Sequence, residues 1–174
     1  EVLTMLAASL LGLPLPLVPI QILWMNLVTD GLPAIALGLE PMEAKLMERP
    51  PRSFGEGVFA RGLLRKILFS GAVISASALG IFLFCLWYFP YDLERARTLA
   101  FTTLVFAQLI FVFQCRSEHR SVFEVGFWGN LYLVLAVLIS GAAQIAVLYT
   151  GFLQNIFQTI PLNFDDWILV AVFA

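Results

Sequence analysis

Asn26, Thr29 and Asp30 stand at positions i, i+3 and i+4 of an apolar run, Gln21 to Gly38 (QILWMNLVTDGLPAIALG). On a helix those positions share a face. They would present an amide carbonyl, a hydroxyl and a carboxylate in one direction, all hard oxygen donors. Such a set suits calcium, magnesium or manganese rather than zinc or copper. A carboxylate in the middle of a membrane-length apolar run costs roughly 2.5–3.5 kcal/mol to insert, which makes Asp30 a functional candidate. Gly31 and Pro33 follow at once. Proline has no N–H and clashes one turn back. A break or distortion is therefore expected between Thr29 and Pro33, leaving the Thr29 carbonyl without its helical partner. Irregular backbone at membrane depth is tolerated where it lines a cavity, and freed carbonyls there bind cations. The blander reading is a polar patch that glues two helices together.

Composition says what holds this run. Of 174 residues, 60% are hydrophobic, 14% aromatic and 13% charged, and the mean hydropathy is +0.90. The expected class is all-α integral membrane, a multi-pass helical bundle in contact with the lipid bilayer. A net charge of −2 excludes nucleic acid as a partner. Cys85 and Cys115 close apolar runs without metal-ligand neighbours, so both read as buried small hydrophobes. The single histidine, His119, sits in a charged stretch and reads as solvated. No Ser-His-Asp or Cys-His arrangement and no GxxxxGK[ST] loop is available, so no catalytic residues are assigned. The chain starts and stops inside apolar stretches, as a fragment of a longer protein would.

The segments follow in order. Glu1 to Leu13 is the outer half of a span, turned by Pro14, Pro16 and Pro19. Leu17 to Leu39 is the span of the oxygen donors. Residues 40–62 form a charged cytoplasmic loop with Glu40, Glu43, Lys45, Glu48, Arg49, Arg52, Glu56 and Arg61. Leu63 to Trp87 is a span in which Ala72, Ala76 and Gly80 recur every fourth residue, a spacing that lets helices approach closely. Phe89 to Arg97 is a short polar turn, and Leu99 to Gln114 a span. A second charged loop covers Cys115 to Glu124, and Phe127 to Leu148 is the next span. A polar stretch runs from Thr150 to Asp166, and Trp167 to Ala174 begins a last helix. Lys and Arg set the sides. Lys45, Arg49, Arg52, Arg61, Arg65, Lys66, Arg116 and Arg120 fall on one side, against Arg95 and Arg97 on the other. The first group is cytoplasmic.

MNLVTDGLPAIALG resembles the sixth membrane span of type II P-type ATPases, above all the sarco/endoplasmic-reticulum-type calcium pumps and their bacterial relatives. The similarity continues through GLEPMEAKLMERPPR and back through GLPLPLVPIQILW to Glu1. It is close over the first third of the chain and looser beyond. The resemblance implies that the six segments match the end of span five to the start of span ten of a pump. Asn26, Thr29 and Asp30 match its sixth-span ligands, with Asp30 bridging two ions. Glu1, 25 positions before Asn26, matches the fifth-span glutamate that binds calcium. SEHRS at Ser117 to Ser121 resembles the motif after the eighth span, and ten residues before Glu118 stands Gln108. The best-known two-site pumps have a carboxylate there. Gln108 offers a carbonyl oxygen without charge, which leaves the second ion open. The implied function is cation transport driven by ATP, most simply calcium export across a bacterial plasma membrane. Calcium is then the transported ligand. ATP and magnesium would act only through cytoplasmic domains that, with the remaining spans, are this segment's partners. The family's Asp-Lys-Thr-Gly-Thr phosphorylation motif is not in these residues. Two alternatives stand beside this: a pump for manganese, sodium or another cation, and a membrane module that only anchors or assembles.

Overall fold

The computed structural model describes residues 1–41, 62–89, 92–116 and 126–174. Most of the charged loop expected at 40–62, and the SEHRS motif with His119, lie outside the described residues. Every regular element among the described residues is helical. They are α1 (Val2–Leu10), α2 (Pro19–Trp24), a π turn (Met25–Asp30), α3 (Gly31–Leu37), α4 (Leu63–Tyr88), α5 (Leu93–Phe111), α6 (Leu131–Tyr149), α7 (Gly151–Phe157) and α8 (Phe164–Phe173). Short 3-10 turns cover Val112–Arg116 and Phe127–Gly129.

Four stretches are long and apolar enough to cross a membrane: Pro19–Leu37, which joins α2, the π turn and α3, then Leu63–Tyr88, Leu93–Arg116 and Leu131–Tyr149. The protein is an integral membrane protein. Helices suit this setting because each satisfies its own backbone polar groups where no water can. α1 stops at Leu11, and Gly12 takes the left-handed conformation (φ +66°) that lets the chain turn before α2.

α5 is the hub. Its apolar and small residues are buried from Ala96 to Leu109 on nearly all sides, so it reads as a core helix. Near one end Phe101, Leu104, Val105 and Leu109 pack with Leu17, Met25, Ala78, Val147 and Phe157. Near the other, Ala96, Leu99 and Ala100 pack with Ile81, Phe82, Cys85, Leu162 and Val170.

Several sequence expectations need correction. The stretch read as a polar turn, Phe89 to Arg97, already contains the first turn of α5. Asp92 caps it by accepting the Arg95 N–H at 2.9 Å. Arg95 then pairs with buried Asp166 at 2.7 Å, and Arg97 donates to the Leu15 carbonyl at 2.9 Å. The Thr150–Asp166 stretch holds α7 and the start of α8. Asn163 and Asp166 form a capping box there. Among the described residues the small-residue stripe on α4 meets another helix only at one end. Ala72 and Ala76 are exposed, and the buried face is Ser75, Ala78, Phe82 and Cys85. Gly80 alone of the stripe meets a helix closely, since a Cβ there would lie 3.0 Å from Phe173. Cys85 is buried as expected, but Cys115, in the 3-10 turn that follows α5, is exposed.

Candidate ion site

The donor-bearing span distorts one turn earlier than proline chemistry alone suggests. α2 ends at Trp24, and MNLVTD forms the π turn. A regular α-helix resumes at Gly31. Pro33 is the third residue of α3, which continues directly from the π turn, so its missing N–H leaves the Val28 and Thr29 carbonyls short of a backbone donor.

The π turn also redistributes the donors. Its hydrogen bonds reach from i to i+5, so a turn holds more residues than in an α-helix. Residues four apart then stay nearly aligned, whereas residues three apart separate. Asn26 and Asp30 are both exposed in the described chain, and Thr29 is only 3% exposed. The Thr29 hydroxyl donates to the Met25 carbonyl at 2.7 Å, which leaves its oxygen lone pairs available.

α1 and α5 bring the other two donors. Glu1 Oε1 accepts from Gln108 Nε2 at 3.4 Å. Glu1 and Asp30 lie near enough for their charges to act on each other. Gln108 Oε1 is buried without a hydrogen-bond partner among the described residues, an acceptor left open beside the Glu1 carboxylate. Thus Gln108 joins Glu1, α5 packs against the π turn that carries Asn26 and Asp30, and Thr29 is buried. Among the described residues no three His, Cys, Asp or Glu side chains converge. A cation bound here would therefore depend on neutral oxygens as much as on charge.

Sequence reasoning missed the scaffold around this span. α6 grips it at three levels. Gln144 Oε1 accepts from Trp24 Nε1 at 3.0 Å, Ser140 Oγ donates to the Val28 carbonyl at 2.8 Å, and Asn130 Nδ2 donates to the Ala36 carbonyl at 3.0 Å. Ser140 and Gln144 stand four apart, which was the available signal. At the same end as Asn130, Glu40 pairs with Arg116 at 2.8 Å; the Arg116 side chain is only 2% exposed. Arg116 also donates to the Gly126 carbonyl at 2.6 Å. Gly129 leaves room for this guanidinium, since a Cβ there would lie 2.7 Å from Arg116 Nη2 and the arginine tip would have to shift. Burial opposes ionisation of Glu40, but donors from Arg116 and Asn130 outweigh it and hold the carboxyl below its ordinary range.

Residues 14–174 match a family model described as cation transporting ATPase, C-terminus; α1 and Glu1 precede the matched residues. A calcium-transporting ATPase of Bacillus subtilis is 52% identical over 170 residues, which is 98% of this chain and 19% of that protein. Calcium-transporting ATPase type 2C member 2 of Mus musculus is 39% identical over 167 residues, 96% of this chain and 18% of that protein. A probable cation-transporting ATPase F of Mycobacterium tuberculosis is 34% identical over 184 residues, covering 100% of this chain and 19% of that protein. The chain spans less than a fifth of each of these relatives.

Proposed function

The chain belongs to the cation-transporting ATPases, through their C-terminal portion, and from that premise we propose that it is the ion-translocating membrane part of an ATP-driven calcium pump. The observation that carries the reading is a distorted span bearing Asn26, Thr29 and Asp30, packed against the helix whose Gln108 joins Glu1 and keeps an open oxygen. Glu1 and Asp30 would supply the charge, and Asn26, Thr29 and Gln108 neutral oxygens. Two carboxylates balance one divalent cation, so the charge count favours a single tightly held ion.

Each side chain has a definable task. Asp30 and Glu1 attract the ion and take up protons when it leaves. Gln108 orients Glu1 through its N–H and offers its carbonyl to the ion. The π turn sets the spread between Asn26 and Asp30, and a change in that turn would alter affinity. ATP and its magnesium would be handled elsewhere in a longer protein. Phosphorylation there would shift the helices and convert a tight, cytoplasm-facing site into a weak, outward-facing one, with the pump residing in a plasma membrane.

The test is Asp30→Asn in the full-length protein. Asn keeps the shape and removes half of the local negative charge. Calcium-dependent phosphoenzyme formation and radiolabelled calcium uptake into vesicles should both be lost, while Gln108→Ala should cost less. Near-normal calcium affinity in Asp30→Asn would make Asp30 a structural contact and overturn the site.

A further inference from the structure

We propose that Ser140 is a positioning residue for the ion site and holds the π turn in place through the Val28 carbonyl. The inference rests on the reading of Asn26, Thr29 and Asp30 as ion ligands.

The argument starts from backbone accounting. In a π turn each carbonyl is paired with the N–H five residues on, and in an α-helix with the N–H four residues on. For Val28 the fifth residue on is Pro33, which has no N–H. For Thr29 the fourth residue on is the same proline. The changeover from π to α at Asp30–Gly31 therefore has fewer backbone donors than acceptors. An unpaired carbonyl inside a membrane protein is expensive. Ser140 supplies a donor from the neighbouring helix: its hydroxyl reaches the Val28 carbonyl at 2.8 Å, and the residue is wholly buried.

The register of that hydroxyl is fixed on both sides. Gln144 holds Trp24 just before the π turn, and Asn130 holds Ala36 beyond it. Ser140 meets the span between these clamps, at the residue adjacent to Thr29. Without the hydroxyl, the cheapest relief for the Val28 carbonyl is to recover the Leu32 N–H in an α pattern. That change rewinds the turn and rotates Asn26 and Asp30 relative to Glu1 and Gln108. Ser140 touches no ion; it acts through the geometry of residues that would.

The experiment uses the full-length protein, purified in detergent, with radiolabelled calcium binding and a thermal unfolding midpoint measured on each variant. Ser140→Ala should weaken calcium binding about tenfold or more, as loss of an outer support to a metal site commonly does. Ser140→Thr, which keeps the hydroxyl, should bind within about threefold of the parent, on the same scale of support. Thr159→Val is the control. It removes a comparable buried hydroxyl that donates to the Val147 carbonyl at 3.2 Å, away from the π turn. It should lower the unfolding midpoint without changing calcium affinity. Three outcomes overturn the inference: parental affinity in Ser140→Ala, an equal loss in Ser140→Thr, or an equal loss in Thr159→Val. If Asp30→Asn also binds calcium as the parent does, the site itself is wrong. If Asp30→Asn fails to bind while Ser140→Ala is normal, only the role of Ser140 falls.

Discussion

At the scale of single residues, the chain treats its carboxylates in two ways. Glu1 takes its side-chain hydrogen bond from the neutral amide of Gln108, and no Lys or Arg salt bridge to Glu1 or Asp30 is found among the described residues, which suits a place that a cation comes and goes from. Glu40 is instead fastened by Arg116 and Asn130 at the membrane edge. Its folded-state pKa is depressed, so its stabilisation is present above the ordinary carboxylate range and is lost as pH falls through the folded-state value. Glu40→Gln should therefore lower the thermal unfolding midpoint in detergent near neutrality, while the parent loses stability more steeply than the variant on acidification. An unchanged acid slope in Glu40→Gln would mean that the pair contributes nothing to folding. The variant leaves Arg116 as a nearly buried cation without its counter-charge, which makes the neutral-pH loss the larger part of the effect.

At the scale of elements, the span that carries the donors depends on its neighbours as much as on its own sequence. Gly31 and Pro33 announced a distortion, and the fold has one. Its form, a π turn over Met25–Asp30, was not legible because it needs a donor from Ser140 on a distant helix. The same limit explains the helix ends. Asp92 and Asn163 are ordinary capping residues, but inside stretches as polar as Phe89–Arg97 and Thr150–Asp166 they do not separate a turn from a first helical turn. Long apolar runs were legible because burial in lipid dictates them directly. The stripe Ala72–Ala76–Gly80 did not reveal the face that meets α5, since spacing says which residues share a face but not which neighbour that face meets. Pro33→Ala tests the element. It returns an N–H to the changeover, so the α pattern can extend backward and Ser140 is no longer needed. Calcium affinity in the full-length protein should fall about tenfold, with little change in the unfolding midpoint. Unaltered affinity would show that the π turn is incidental to the site.

At the scale of the whole molecule, the two ends of the bundle carry different chemistry. Leu15, Arg97, Arg95 and Asp166 meet at one end, where α1 turns into α2 and α8 begins. Glu40, Arg116, Gly126 and Asn130 meet at the other. The hydrogen bonds themselves thus put the α1–α2 turn and the start of α5 on one side, and the end of α3, the end of α5 and the start of α6 on the opposite one. Exposed Trp87 and Trp128 stand toward opposite ends, as aromatic residues at two membrane interfaces do. From the excess of Lys and Arg we propose that the Arg116 end faces the cytoplasm. The two cysteines make that assignment testable, because Cys115 is exposed at the Arg116 end and Cys85 is buried near the other. In a full-length protein whose cysteines outside this chain are replaced, a membrane-impermeant maleimide added to intact cells should label neither. In inside-out vesicles it should label Cys115, and Cys115→Ser should abolish the signal. Cys85 should react only after denaturation. Labelling of Cys115 from outside intact cells would invert the topology. It would also reverse the route of the ion, because the end latched by Glu40 and Arg116 would then face the exterior.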